Sequence, residues 1–320
     1  MTKVLITGAS GFVGQALCSF LMEKGVEIKA ASRIKKDLYP YEFSIVEDIT
    51  KEAEWGKALD DVEIVIHLAA QAHGVRQGNY LIAQQEASNL FNVNVAGTKA
   101  LIQASYDKGV RHFIYVSSIK VNGEITSLVP FVEKDIPCPK DEYGESKLQA
   151  EELIKAYCQD KRMSYTILRP PLVYGPRVKG NFWDLLNISF SKIPLPFAGV
   201  NNKRSLIYLE NLLDIIYLSL IHPKAKNETF LLCDGQDLSI QELIAQVRKT
   251  MNLSPYLWYC PFSILEFICK IFKREKAFLR LSSSLQVNDQ KLRSYLNWQP
   301  RFSVEQGIEK TVQWFLSEKK

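Results

Sequence analysis

Through the first half of the chain, short apolar runs alternate with longer stretches of helical spacing. Runs of β-forming residues at Val4–Thr7, Glu27–Ala31, Phe43–Val46, Glu63–His67, His112–Ser117 and Tyr165–Arg169 predict strands. Helical periodicity predicts helices over Phe12–Lys24, Glu52–Leu59, Glu86–Lys108 and Glu142–Asp160. Strands separated by helices of this length imply right-handed crossovers and a parallel sheet covered on both faces, an α/β doubly wound, Rossmann-type architecture. After Arg169 the pattern breaks. Pro170, Pro171, Gly175 and Pro176, then Pro194, Pro196 and Gly199, interrupt regular structure. A helix at Leu209–Ile221 and a strand at Glu228–Cys233 then return to the sheet, and amphipathic helices follow from Asp237 to a last one at Val304–Leu316. The expected division is residues 1–175 plus about 205–235 as the domain that holds the sheet. Residues of about 176–204 plus 236–320 are expected to form a smaller, mainly helical lobe.

The first strand ends in Thr7-Gly8-Ala9-Ser10-Gly11-Phe12-Val13-Gly14, immediately before a helical pattern. Strand, tight turn and helix N-terminus together place free N–H groups and the positive helix end where a pyrophosphate can sit. Glycines alone are a weak signal, and a glycine-rich turn without a ligand is the competing reading; the flanking strand and helix favour the phosphate seat.

Composition narrows the class. The 320 residues are 47% apolar and 23% charged, ordinary for a folded globular chain. A net charge of +5 spread along the whole length does not indicate a nucleic-acid partner. The six scattered cysteines form no Cys-x-x-Cys pair, so neither a disulfide framework nor a metal site is expected, and a reduced cytoplasmic setting is. The chain enters a strand at once, leaving no room for a signal peptide, and no apolar run reaches membrane-spanning length. Tyr256–Phe272 is rich in aromatic and aliphatic residues with Lys270, Lys273, Arg274 and Lys276 close behind. It reads either as a membrane-surface helix or, since Glu266 interrupts it, as a buried helix of the second lobe; the buried reading is favoured.

Tyr143 and Lys147 lie four apart on a predicted helix and so share one face. An ammonium near a phenol favours the phenolate, letting a tyrosine exchange protons near neutrality, as hydride-transfer chemistry requires. Tyr-x-x-x-Lys also occurs by chance on exposed helices. Here the strand Phe113–Val116 runs into Ser117 and Ser118, and a serine at that strand end can hydrogen-bond a substrate oxygen.

Thr7-Gly8-x-x-Gly11-x-x-Gly14, His67-Leu68-Ala69-Ala70, Asn94-Val95-x-Gly97-Thr98, Ser118 and Tyr143-x-x-x-Lys147 together resemble the extended short-chain dehydrogenase/reductases, and within them the nucleotide-sugar epimerase/dehydratase branch. Arg169–Pro176 and Arg204–Tyr208 resemble later landmarks of that branch, so the likeness spans nearly the whole chain. It implies a catalytic triad of Ser118, Tyr143 and Lys147, with Lys147 also holding the nicotinamide ribose. It implies that Gly8, Ser10, Gly11, Phe12, Val13 and Gly14 hold the cofactor's pyrophosphate. Asp48 and Ile49 are to flank the adenine, and Leu68, Ala69, Ala70, Asn94, Val116 and Pro170 to line the cofactor's path. Arg204 resembles an arginine contacting the nucleotide of the substrate, and Asn181 resembles a diphosphate contact. Homodimers formed through two long helices are common in the family, which makes Glu86–Lys108 and Glu142–Asp160 the expected pair.

Two departures carry information. Relatives preferring NAD have an acid at the end of the second strand, where Ser32 and Arg33 stand here. With no carboxylate to repel a 2′-phosphate and a guanidinium beside it, NADP(H) is favoured over NAD(H). The alternative is that Arg33 stacks on adenine or points to solvent. Dehydratases need an acid and a base after the serine; Ile119 and Lys120 occupy those places, which argues against dehydration. Lys120 is either a contact for a substrate oxygen or phosphate, or a solvated lysine.

The expected activity is therefore reduction of the 4-keto group of a UDP-4-keto-6-deoxy-N-acetylhexosamine for bacterial surface polysaccharide. The main alternative is a UDP-hexose 4-epimerase with tightly held NAD. A non-catalytic dinucleotide sensor is the reading from another class, and the presence of both Tyr143 and Lys147 weighs against it.

Overall fold

The computed structural model describes residues 2–33, 41–71, 88–159, 162–191, 193–271, 279 and 282–319. Seven parallel strands form the central sheet: β1 (Lys3–Thr7), β2 (Glu27–Ser32), β3 (Glu42–Ile45), β4 (Ile64–His67), β5 (His112–Val116), β6 (Ser164–Arg169) and β10 (Glu228–Leu231). Their order is β3-β2-β1-β4-β5-β6-β10, with the reversal between β1 and β4. This is the Rossmann-type α/β fold, and open sheets of this kind bind ligands above the strand ends at that reversal. The registers Thr7↔Ala31 and Thr7↔His67 bring the C-terminal ends of β1, β2 and β4 level there.

Both faces of the sheet are buried, which is why its strands read as nearly continuous apolar runs. One face is closed by α1 (Phe12–Glu23), through Leu17, Cys18 and Leu21, and by a helix at Leu209–Ile221. The other face is closed by α2 (Glu52–Ala58), α3 (Gly97–Asp107) and α4 (Glu142–Tyr157), around Trp55, Leu101, Phe113 and Ile154. The long helix expected from Glu86 is helical over 88–107, but it contains a π-helical stretch at Asn92–Ala96. Such one-turn widenings recur at functional positions, and this one carries Asn94.

A third apolar cluster holds Tyr174, Phe182, Tyr208, Ile244, Ile308 and Phe315 together. It is built by α5 (Asn181–Phe190), α7 (Ile240–Thr250) and the long C-terminal helix Val304–Glu318, while α6 (Leu209–Ile221) is the helix that closes the first face of the sheet. Two small parallel sheets lie against it: β7 (Leu172–Tyr174) with β9 (Leu206–Tyr208), and β8 (Leu195–Ala198) with β11 (Leu257–Tyr259). Both β7 and β8 fall in proline-containing stretches read from sequence as irregular. Each is short and paired across a long sequence separation, so its pairing has no local signature.

After β11 come α8 (Phe262–Ile271), α9 (Gln290–Leu296) and α10 (Val304–Glu318). The expectation of a buried helix near 256–272 is met at Leu265, while Ile264, Phe267 and Ile271 of α8 are 49%, 64% and 61% exposed. No described helix is long and apolar enough to cross a membrane.

Candidate active site

The glycine turn leaves β1 with Gly8 at φ +67°, a conformation open to glycine without strain, and a side chain there would strike the backbone of Ala69. A Cβ on Gly14 would collide with the Gly8 carbonyl oxygen, so glycine at both positions lets α1 pack against the turn. Ser10 and Gly11 remain exposed, and Gly11 caps α1 without any side-chain bond to its first N–H groups. An open helix N-terminus of this kind fits a dinucleotide diphosphate. Phe12 and Val13 are partly buried beside it.

Beside this turn lies a chain of side-chain hydrogen bonds. Leu68 and Ala69 N–H groups donate to Thr7 Oγ1 at 3.2 Å each. Thr7 Oγ1 therefore gives its own proton to His67 Nδ1, 2.6 Å away. That fixes the tautomer: His67 Nε2–H donates to Thr98 Oγ1 at 3.0 Å, and Thr98 donates to the Asn94 carbonyl at 2.7 Å. Burial pushes the His67 pKa down to about 3, with the charge of Lys147 adding to the effect, so the ring is neutral. His67 and Thr98 belong to quoted motifs, but only the structure reveals this role.

Asn94 is 1% exposed and fully engaged. Its Oδ1 accepts from Gln71 N–H, and its Nδ2 donates to the Gln71 carbonyl and to Ser146 Oγ. Ser146 Oγ in turn donates to the Tyr143 carbonyl at 2.8 Å. Asn94 thus acts on α4 from the π-helical stretch, holding the backbone that presents Tyr143.

Helix α4 starts at Asp141, whose carboxylate accepts from Gly144 N–H at 2.8 Å. Its first turn carries Tyr143 and its second Lys147. The Ser118 hydroxyl hydrogen-bonds the Tyr143 phenol. Lys147 is buried, and its Nζ donates to the Val116 carbonyl at 2.9 Å and to Tyr115 Oη at 3.2 Å. Ser118, Tyr143 and Lys147 are therefore brought together at the ends of β5 and α4.

Their electrostatics differ from the sequence expectation that Lys147 holds the phenol's pKa low. Burial, reinforced by the Asp141 charge, pushes Tyr143 up to about 12 against the Ser118 hydrogen bond. Burial pushes Lys147 down to about 7, opposed by the Glu151 charge. The ammonium faces Val116 and Tyr115 and lies 5.9 Å from the Tyr143 ring centre, too far to outweigh the loss of hydration.

Behind Lys147 sits an ion pair that no local pattern announced. Glu151, one turn further along α4, is fully buried. It accepts from Arg169 Nε at 3.0 Å and Nη2 at 2.6 Å, and from Ser117 Oγ at 2.5 Å. Arg169 Nη1 donates to Asn122 Oδ1 at 2.8 Å. This bidentate pair ties α4 to the ends of β5 and β6.

The remaining sequence-predicted residues fall as follows. Ser32 ends β2, Arg33 follows it exposed, and no carboxylate stands at either position. Asp48 accepts from Thr50 N–H and hydroxyl, bonds that hold its carboxyl below the usual range. Ile49 packs against Gly97 of α3, where a Cβ would meet its side chain. Leu68 and Ala69 are partly buried, Ala70 is exposed, and Pro170 is buried with its carbonyl accepting from Ile119 N–H. Lys120 is not a solvated lysine: it pairs with Glu124 at 2.7 Å and with Asp141. Asn181 is exposed at the start of α5, and Arg204 Nη1 donates to the Ser283 carbonyl at 3.0 Å.

Comparison with known proteins places this arrangement. Residues 4–233 match the NAD dependent epimerase/dehydratase family. A UDP-glucose 4-epimerase of Vibrio cholerae is 36% identical over 98% of this chain and 95% of its own length. An N-acetyl-alpha-D-glucosaminyl-diphospho-ditrans,octacis-undecaprenol 4-epimerase of Escherichia coli O157:H7 is 28% identical over 98% of this chain and 95% of its own. Among solved structures, the UDP-glucose 4-epimerase of Thermotoga maritima with UDP-glucose superposes with a TM-score of 0.80 at 22% identity, covering all of both chains. The UDP-glucuronic acid 4-epimerase of Bacillus cereus in complex with NAD gives 0.78 at 22% identity, again over all of both chains. With a family match over most of its length and a full-length relative above 30% identity, the chain belongs to the NAD dependent epimerase/dehydratase family of extended short-chain dehydrogenase/reductases.

Proposed function

We propose that this enzyme oxidises and reduces C4 of a UDP-hexose or UDP-N-acetylhexosamine, and that it works as a 4-epimerase. The observation that carries the reading is the convergence of Ser118, Tyr143 and Lys147 beside the open glycine turn. The full-length relatives named as 4-epimerases support that choice over the keto-reductase expected from sequence.

Bound NAD(P) would carry the hydride to and from C4 and, when oxidised, bring a positive charge toward the phenol. Ser10 to Gly14 would hold its diphosphate, Asp48 and Ile49 its adenine, and Lys147 its nicotinamide ribose. With a pKa of about 12, Tyr143 is a protonated phenol at neutral pH and is ready to give its proton to an alkoxide at C4. In the oxidising direction the phenol would first release its own proton to solvent, a loss that every nearby positive charge eases, and the phenolate would then take the sugar hydroxyl's proton. Ser118 donates to the same oxygen, and the chain Asn94–Ser146 keeps Tyr143 in place. The segment 176–204 would grip the uridine diphosphate through Asn181 and Arg204. Lys120, held by Glu124 and Asp141, keeps a third N–H that would meet a sugar oxygen.

A second reading, reduction of a UDP-4-keto-6-deoxy-N-acetylhexosamine with NADPH in the cytoplasm, is favoured by Ser32 and Arg33 at the tip of β2. One experiment separates the two. UDP-glucose and UDP-N-acetylglucosamine deuterated at C4 are incubated with the purified enzyme and NAD. An epimerase returns the deuterium to C4 of the 4-epimer with a primary isotope effect. Inertness toward both sugars, with NADPH oxidised only when the 4-keto sugar nucleotide is supplied, establishes the reductase. Exchange of the C4 label with water would rule out both.

A further inference from the structure

We infer that the exposed face of α8, with the end of β11 before it, docks on an anionic lipid bilayer surface. Ile264, Phe267 and Ile271 recur at intervals of three and four and are 49%, 64% and 61% exposed, so one stripe of this helix presents branched and aromatic side chains to water. Leu265 is the one buried side chain among the described positions of α8, packed with Cys260 at the foot of β11. Just upstream, Trp258 and Tyr259 are 48% and 69% exposed. These amphipathic rings suit the boundary between headgroups and acyl chains.

Charge selects the occupant. Lys270 is exposed beside the stripe, and the sequence continues Ile271-Phe272-Lys273-Arg274-Glu275-Lys276. Lys273, Arg274 and Lys276 lie outside the described residues and are counted by charge alone. The exposed Glu266, and by charge alone Glu275, oppose them, leaving the stretch net positive. An exposed apolar stripe with lysine at its edge matches a negative headgroup layer; protein interfaces are depleted in lysine. At 10 residues the helix is about 15 Å long, which lets it lie in the headgroup layer but not cross the bilayer. Docking here would hold the enzyme at the surface without using any residue of the Tyr143 site, so it stands apart from the choice of sugar.

Vesicle flotation of the full chain tests this, with phosphatidylcholine vesicles made with and without about 30% phosphatidylglycerol. The protein is expected to float with the anionic vesicles, less with the neutral ones, and less again in high salt. Replacing Ile264, Phe267 and Ile271 together by serine is expected to weaken binding at least tenfold while turnover of soluble UDP-sugar is unchanged. Lys270→Glu, a single surface change, is expected to weaken it several-fold. The inference is overturned if the protein stays unbound with both vesicles, or if the triple variant floats as well as the parent. It is equally overturned if the parent sediments as a dimer that the triple variant loses while neither floats, since a second copy would then own the face.

Discussion

Two buried carboxylates in this protein are held in opposite ways. Glu151, behind the catalytic lysine, faces a guanidinium that grips both of its oxygens. Asp234, which joins β7, β9 and α6, has no cation among its bonded partners in the described residues. It accepts from Tyr208 N–H at 2.9 Å, Asn211 Nδ2 at 2.8 Å and Tyr174 Oη at 3.0 Å. Burial pushes its pKa up to about 6, against those hydrogen bonds. The contrast separates roles. Near the site a charge is kept in place, where it bears on Lys147; in the distant core neutral donors suffice to join segments.

The largest expected effect lies on the catalytic side. Lys147→Met should cut turnover on the order of 10³-fold, the scale of acid–base and positioning losses. It should also raise the midpoint of thermal unfolding. The folded chain binds this lysine's proton less tightly than the unfolded chain, with the pKa lowered from 10.5 to about 7, so burying the ammonium opposes folding below pH 10.5. Unchanged turnover, or a lower midpoint, would break the assignment.

Glu151→Gln comes next. It strands Arg169 in the interior, which should cost about 3–5 kcal/mol in urea unfolding. It also removes the charge that raises the Lys147 pKa, so the lysine loses its proton at lower pH and the alkaline limb of the kcat/KM profile should move down. A loss of stability with an unmoved pH profile would make the pair purely structural.

On the other side, Asp234 ties stability to pH. Its carboxyl binds a proton more tightly when folded, so stability should fall as pH rises from about 4 to 6, by at most about 3 kcal/mol for this group. Asp234→Asn should flatten that slope in urea titrations at successive pH values and leave turnover intact. The smallest effect is expected from Tyr174→Phe, which removes one hydrogen bond to Asp234 and should cost about 1 kcal/mol without touching kcat.

The same contrast explains what the sequence shows. The sheet, its flanking helices and the glycine turn are legible because their periods are local, and Tyr143 and Lys147 are legible because one helix carries both. The partnership of Glu151 with Arg169 is not, since α4 and β6 meet only in the folded chain. His67 is visible as a motif letter, yet its tautomer depends on Thr7 and Thr98 from two other elements. The pKa of Tyr143 departs from expectation for the same kind of reason. Spacing places the lysine on the right face of α4, but the Val116 carbonyl and Tyr115 hydroxyl decide where its ammonium points. β7 and β8 lack local signatures, and the outward stripe of α8 carries the same period as an inward one, so periodicity alone cannot say which way it faces.

Everything proposed for the site rests on proton transfer by Tyr143. The most direct measurement is turnover of Tyr143→Phe with its UDP-sugar, beside thermal shifts with NAD(P) and UDP to show that both still bind. The account predicts a loss on the order of 10³-fold with both shifts retained. Turnover within tenfold of the parent, with binding intact, would contradict it.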